Sequence, residues 1–435
     1  MRSKAAALLS AAAILLTGCG NLRQDDAVTI RLMNFGYEDS RYTCLEEAVS
    51  RYNMANPNHP LTLEVERYTD AEWDWNDYQA LFEQATEDGS VDLILASSDF
   101  LGSLAGQGYL EPMDDIVESE PFQSEYLSPL LPSLTYDGHY WGLLVETSVR
   151  MVYWNVDVLR SLGLAESDLQ AFPGRVRCGE ITMQDLLGIA QAGLDSGLTQ
   201  YGVVHRPTPG LFFYLMAEKF GACYLEPDGQ ILYDRDNLIE MLRYFQELSQ
   251  QNNFRLPTSW KTCNEIFYQG NAAVYFGGCW TPHDVMLQND LESSEALEQQ
   301  YIPTVFPAVD VNDTPSTISN SMIIMLAKNS GNKEVIKNLL ADAYSDWNAL
   351  GSHAAQTFHM PVSRSAAACT EMEENTFLRN NLYMLDLTDF MPNRSDTEVW
   401  FQALFNAVRS IENGTGTLDE VADMLIHEIE QMQVP

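Results

Sequence analysis

Val28-Thr29-Ile30-Arg31-Leu32-Met33-Asn34-Phe35-Gly36 is rich in β-branched and apolar side chains and closes on a glycine, the form of a strand with a stop. The period then changes. Thr43 with Glu46 three positions on has the pattern of a capping box, and Leu45, Ala48, Val49 and Tyr52 share one helical face until Asn56-Pro57 ends it. Leu61-Thr62-Leu63-Glu64-Val65 alternates as a half-buried strand does, and Tyr78, Leu81, Phe82 and Ala85 stripe a second helix. Val91 to Ala96 is nearly continuous in apolar residues, as a strand covered on both faces must be. Strand, helix, strand, helix, strand predicts the opening of a parallel α/β lobe.

The same vocabulary continues without a sequence repeat. Gly142 to Val145 and Val149 to Trp154 read as extended, Thr182 to Ala192 as a capped helix, and Leu211 to Phe220 and Leu238 to Leu248 as helices. Ala272 to Phe276 is a buried strand closed by Gly277-Gly278, Ser321 to Leu326 is another, and a last helix runs from about Leu418 to Glu430. At 435 residues and 46% hydrophobic composition the chain exceeds what one core usually serves, so two lobes are expected. No low-complexity linker separates them, which predicts interleaved lobes.

Upstream of the first strand, Arg2 and Lys4 precede the apolar run Ala5 to Leu16, too short for a bilayer that needs about 20 residues. The run ends in Leu16-Thr17-Gly18-Cys19, which resembles the bacterial lipobox. That resemblance implies a signal peptide over residues 1–18, lipid on Cys19 and a tether over 19–26, whose last seven residues reach only about 25 Å. Without residues 1–18, which carry two basic groups and no acidic one, 22 basic face 62 acidic side chains, a formal charge of −40. Such a field repels polyanions, so nucleic acid and multiply charged anions are poor ligands, while neutral and cationic ones remain open. Cys44, Cys178, Cys223, Cys263, Cys279 and Cys369 form neither a CxxC pair nor a zinc-spaced cluster, and their disulfide state stays open.

Several ordered segments resemble the family 1 extracellular solute-binding proteins. Asp92-Leu93-Ile94-Leu95, Leu104-Ala105 and Gly108 to Asp115 come first, then Asp137 to Leu143 and Val152 to Leu159. Thr182 to Leu187, Phe267 to Val274 running on to Trp280, and Gly414 to Val421 follow in the family's order. Leu143-Leu144 lacks the usual proline, and Trp154 and Val156 replace the common tyrosine and lysine. The resemblance implies a two-lobed periplasmic-binding-protein fold (type II), each lobe a mixed sheet flanked by helices, with hinge strands between. It places the crossings near Val145, Pro307 and Gly351, so that 27–145 with 308–351 form one lobe and 146–307 with 352–435 the other. It further implies a lipoprotein, extracytoplasmic and held at the cell membrane, that captures a small ligand between its lobes for the permeases of an ABC importer.

A sugar is the ligand expected by that likeness, because pyranose C–H faces need flat apolar walls and hydroxyls need fixed polar groups. Trp280, after the Gly277-Gly278-Cys279 turn, is the first candidate wall, since the resemblance puts a ligand-stacking tryptophan there. Trp400 or Phe401 resembles the second lobe's aromatic in the maltose-binding branch, and Glu146 a polar contact there. Asp99, three residues past a strand, and Asn34, at the end of another, are candidate hydrogen-bonding partners. Trp73, Trp75, Tyr140 and Trp260 are further aromatics. Each of these also has an ordinary reading as core packing or surface polarity.

Two other classes compete. A retaining glycosidase needs two carboxylates about 5–5.5 Å apart, a role open to Asp99 and Glu146. Against an enzyme, there is no Gly-x-Ser-x-Gly elbow, phosphate loop or dinucleotide fingerprint, and His427-Glu428 lacks the second histidine of a zinc motif. The reading is a binder without cofactor or metal. Within binders, a peptide or organic cation competes with sugar, and convergent acids without basic neighbours would favour the cation.

Overall fold

The computed structural model describes residues 28–432 apart from 37, 39, 70–74, 227–229 and 312. Strands β1 (Val28–Phe35), β2 (Leu61–Tyr68) and β3 (Leu93–Ser97) open the chain, with two helices between them, as the apolar periods predict. After the hairpin β4 (Thr135–Tyr136) and β5 (His139–Tyr140), the strand β6 (Leu143–Asn155) joins Gly142–Val145 and Val149–Trp154 into one element. Then come β7 (Tyr201–Val204), the pair β8 (Cys223–Leu225) and β9 (Ile231–Tyr233), β10 (Ala272–Gly278), β11 (Tyr301–Thr304), β12 (Thr317–Leu326) and β13 (Thr388–Asp389).

The main sheet runs β2-β1-β3-β12-β6-β10-β7, with β11 beside β6 and β13 beside β12. β1 is parallel to β2 and β3, β10 to β7 and β13 to β12, whereas β12 runs antiparallel to β3 and β6, and β6 antiparallel to β10, β11 and β12. The molecule is two lobes, because β6 changes partner along its length. Residues 143–149 pair with β12, and residues 150–155 lie between β10 and β11. All five residues of β3 and all seven of β10 are buried, which is why both read as continuous apolar runs.

These pairings bear on the expected crossings. The strands change partner near 147–150 of β6 and 317–321 of β12, where the expectation was near Val145 and Pro307. At the third, Gly351 lies within an unbroken helix, Trp347–Thr357, and the chain beyond it still bonds the first lobe. The Thr147 and Met360 main chains exchange bonds of 3.1 and 2.8 Å, and Leu127 N–H donates to Val362 O at 3.1 Å. The chain touches the other side at His359, parallel to Trp280 at 6.3 Å, and again at Phe377, parallel to Tyr153 at 6.5 Å. Gly351 is a packing glycine: a Cβ there would lie 2.6 Å from Ala366 O and Cys369 Sγ. Thr43 does not cap its helix, which starts at Ser40 because buried Arg41 is anchored to Phe35 O and Glu146 in the first turn.

Thr182 does cap Met183–Asp195. Its hydroxyl accepts from Asp185 N–H at 3.2 Å, and Asp185 accepts from Thr182 N–H at 2.9 Å. Thr182→Ala is expected to lower stability by about 1 kcal/mol in chemical denaturation, and an unchanged midpoint would deny the box any weight. The six cysteines are free, and all but Cys178 are buried.

Candidate ligand-binding site

Polar and aromatic side chains collect past the carboxyl ends of the parallel strands, the place where open α/β sheets expose loops to a ligand. β3 ends at Ser97, and a single turn, Ser98–Phe100, carries Asp99. Asn320 of β12 donates from Nδ2 to Asp99 Oδ2 at 2.9 Å and to Ser97 Oγ at 2.8 Å. β10 ends at Gly278, and Trp280 immediately precedes the helix Thr281–Asn289 that follows. A Cβ on Gly278 would come within 1.9 Å of the indole, so this residue must be glycine for Trp280 to fold back over the strand end.

Two arginines complete the group. Arg150, where β6 changes partner, sets its guanidinium 4.6 Å from the centre of the Trp280 ring. Arg206, just past β7, lies 5.5 Å from the centre of the Trp260 ring and is held by Thr208 O at 2.7 Å, Thr208 Oγ1 at 3.1 Å and Pro209 O at 2.5 Å. Burial pushes the Asp99 carboxyl up, with Arg150, Ser97, Asn320 and Arg206 opposing. Burial pushes both arginines down. Asp99 counters this at each, and mutual repulsion adds to it at Arg206.

Buried polar atoms are nearly always hydrogen-bonded, so those that are not point to a role. Both amide atoms of Asn34, Arg150 Nη1, Glu398 Oε1 and Trp400 Nε1 are buried without a partner. Asn34 closes β1 beside β3, and the Glu398 carboxyl, pushed up first by burial, also feels Asp99. Four strand ends, positions within β6 and β12, and the first turns of helices Trp260–Tyr268 and Thr397–Glu412 thus supply this chemistry.

The sequence candidates divide accordingly. Trp280, Asp99 and Trp260 belong to the cluster through Arg150 and Arg206, and Asn34 lies on the adjoining strand. Trp400 is fully buried two residues past Glu398, and Phe401 is buried beside it. Tyr140 sits instead in the β4–β5 hairpin, its N–H donating to Asp114 Oδ1 at 2.9 Å and its carbonyl accepting from Met113 N–H at 2.7 Å. Trp73 and Cys19 lie outside the described residues.

Glu146 is a correction. Its Oε1 accepts from Arg41 Nη2 at 2.6 Å and Nε at 3.0 Å, and His359 Nε2 is 3.4 Å away, while Oε2 meets His353 Nε2. Arg41 also bonds Glu38 at 2.8 Å, and His353 Nδ1 meets Ser40 Oγ at 2.7 Å. A carboxylate so enclosed is neither a sugar contact nor a glycosidase nucleophile; it ties two helices, a strand and a loop together. His359 lies parallel to Trp280 at 6.3 Å, so the ion cluster lies against this indole.

Sequence reading missed Arg150, Arg206, Asn320 and Glu398. Arg150 had a signal, being the single charge in the apolar run Val149 to Trp154. For a metal, Glu38, His283 and Asp284 offer atoms within 4.8 Å of one another, but Arg41 already neutralises Glu38. A recess of about 440 Å³ between Gln191 and Arg255 has amide and charged walls and no aromatic one, so it does not rival the strand-end cluster.

Residues 47–375 match the family described as bacterial extracellular solute-binding protein. A Brucella abortus protein named as a binding protein is 22% identical over 410 residues, 91% of each chain. Among solved structures, maltose-bound MalE3 of T. maritima superposes with a TM-score of 0.74 at 15% identity, over 93% of this chain and all of that one. The GacH receptor of Streptomyces glaucescens, solved unliganded and with acarbose, gives 0.74 at 13% identity, over 93% and 98%. At these identities the likeness is one of fold.

Proposed function

Since the chain belongs to the bacterial extracellular solute-binding proteins, we propose that it captures a mono- or oligosaccharide between its lobes and delivers it to the permeases of an ABC importer. Lipid on Cys19 would hold it at the membrane, as the lipobox-like Leu16-Thr17-Gly18-Cys19 suggests. The observation that carries the reading is the strand-end cluster. Indoles at Trp280 and Trp260, each with an arginine guanidinium over its ring, are the aromatic part of the cluster, while Asp99 and Asn320 are hydroxyl partners held in place by one another. Sugar binders among the structural relatives, such as the maltose-bound protein, lend support. The organic-cation reading loses ground because the one acid bonded into the cluster has two arginines beside it.

Calorimetric titration of the purified protein against neutral and acidic saccharides, amino acids, peptides and polyamines tests this. A saccharide is expected to bind, and Trp280→Ala to weaken it about ten- to a hundredfold, the equivalent of about 1.5–3 kcal/mol for one large apolar wall. Binding of a peptide or polyamine with no response to any saccharide would replace the reading.

A further inference from the structure

The charges around Asp99 do not balance. Arg150 is only 8% exposed, and its Nη1 is buried without a partner. An arginine stays protonated in a protein, so this is a buried, partly unanswered cation. Arg206 is a second cation, half-buried and held only by the neutral oxygens of Thr208 and Pro209; the two arginines repel, and Asp99 is the carboxylate that acts on both. Glu398 does not restore the balance, because it is not among the charges that act on Arg150 or Arg206. Two guanidinium groups against one carboxylate leave an excess of one positive charge.

Resting on the sugar reading above, we propose that the ligand is an acidic saccharide, and that its single carboxylate, as in a uronic acid unit, is received by Arg150 and Arg206. A planar carboxylate matches the guanidinium fork, and partners shielded from water attract more strongly than exposed ones. One negative charge closes the balance, whereas two would overshoot it and meet the repulsion of a chain whose formal charge is −38. The ring bearing the carboxylate lies beside Trp280, because Arg150 stacks on that indole. Asp99 and Asn320 remain for hydroxyls.

The test compares matched ligands on the purified protein by calorimetry: D-galacturonate, D-glucuronate and their di- and trisaccharides, each against its neutral parent, with sugar phosphates and simple carboxylic acids alongside. At least one uronic ligand is expected to bind tenfold or more tightly than its neutral parent. Arg150→Met should bring that ratio close to one. Arg150→Lys, which keeps the charge but loses the fork, should leave an intermediate ratio and supplies the answer if the Met variant does not fold. A neutral parent that binds as well as its acid overturns the proposal and leaves the sugar reading standing, as does a preference for a phosphate. Binding of simple carboxylic acids alone, or of no member of the panel, overturns both.

Discussion

Arg41→Met is expected to lower the free energy of unfolding by about 3–5 kcal/mol, because it leaves a buried carboxylate without its strongest partner. Arg41 and Glu146 are 5% and 1% exposed, and the guanidinium gives Glu146 two hydrogen bonds, of 2.6 and 3.0 Å. Met fills similar space, so the loss is electrostatic rather than a cavity. The partner is 105 positions away, and the bond joins helix Ser40–Ala55 to β6. Unfolding in guanidinium chloride followed by circular dichroism gives the number. Pairing the change with Glu146→Leu should recover a good part of the loss, since removing both charges removes the unpaired one. A loss below about 1 kcal/mol would place the pair in the weak class of exposed ion pairs.

Acidification should be nearly as damaging, through His359. Burial pushes this imidazole from its ordinary 6.5 to about 4, with Glu146 opposing the shift. The unfolded chain takes up a proton near pH 6.5 that the folded chain refuses until about pH 4. The stability due to this group is therefore complete above that window and drains away as pH falls through it, by up to about 3 kcal/mol. Glu146 extends the loss to lower pH. Burial alone would raise its pKa, but Arg41, His359 and His353 outweigh that and hold it well below the carboxylate range. Arg41, Glu38, Glu146 and His353 are the titratable groups that act on His359. Unfolding free energies measured from pH 7.5 to 4 should fall along this slope, and His359→Phe should flatten it above pH 4.5. A variant with the wild-type slope would shift the acid sensitivity to another group.

What could be read from the sequence was what neighbours decide. β1, β3 and β10 appear where apolar runs end in glycine or serine, and Thr182 caps its helix because Asp185 stands three residues on. Thr43 had the same local form and failed, since Arg41 is drawn to a carboxylate more than a hundred positions distant and starts the helix early. Gly351 looked like a joint and is a tight contact. For the site, the position of Asp99 and Trp280 just past strand ends was visible. Whether a carboxylate faces solvent, a ligand or an arginine is settled by partners that no local period encodes, and Glu146 was misplaced for that reason. Arg150 stood out as a charge among apolar neighbours, but its lack of a partner becomes visible only with β10 and β12 in place.

The strand β6 has a mechanical consequence. Its 13 residues are one unbroken length of about 43 Å, bonded to β12 at one end and to β10 and β11 at the other, with no loop where the partners change. Two bodies joined by slack chain can swing freely, but two joined by a shared ribbon turn only as far as the ribbon will wind. β6 and β12 together, with one register shift between Met322 and Ile323, form the bar through which any turn of one lobe against the other would pass, its rest angle the natural right-handed twist of the strands. Arg150 sits where this bar would be wound, so a ligand that draws the guanidinium toward it pulls on the axle rather than the rim.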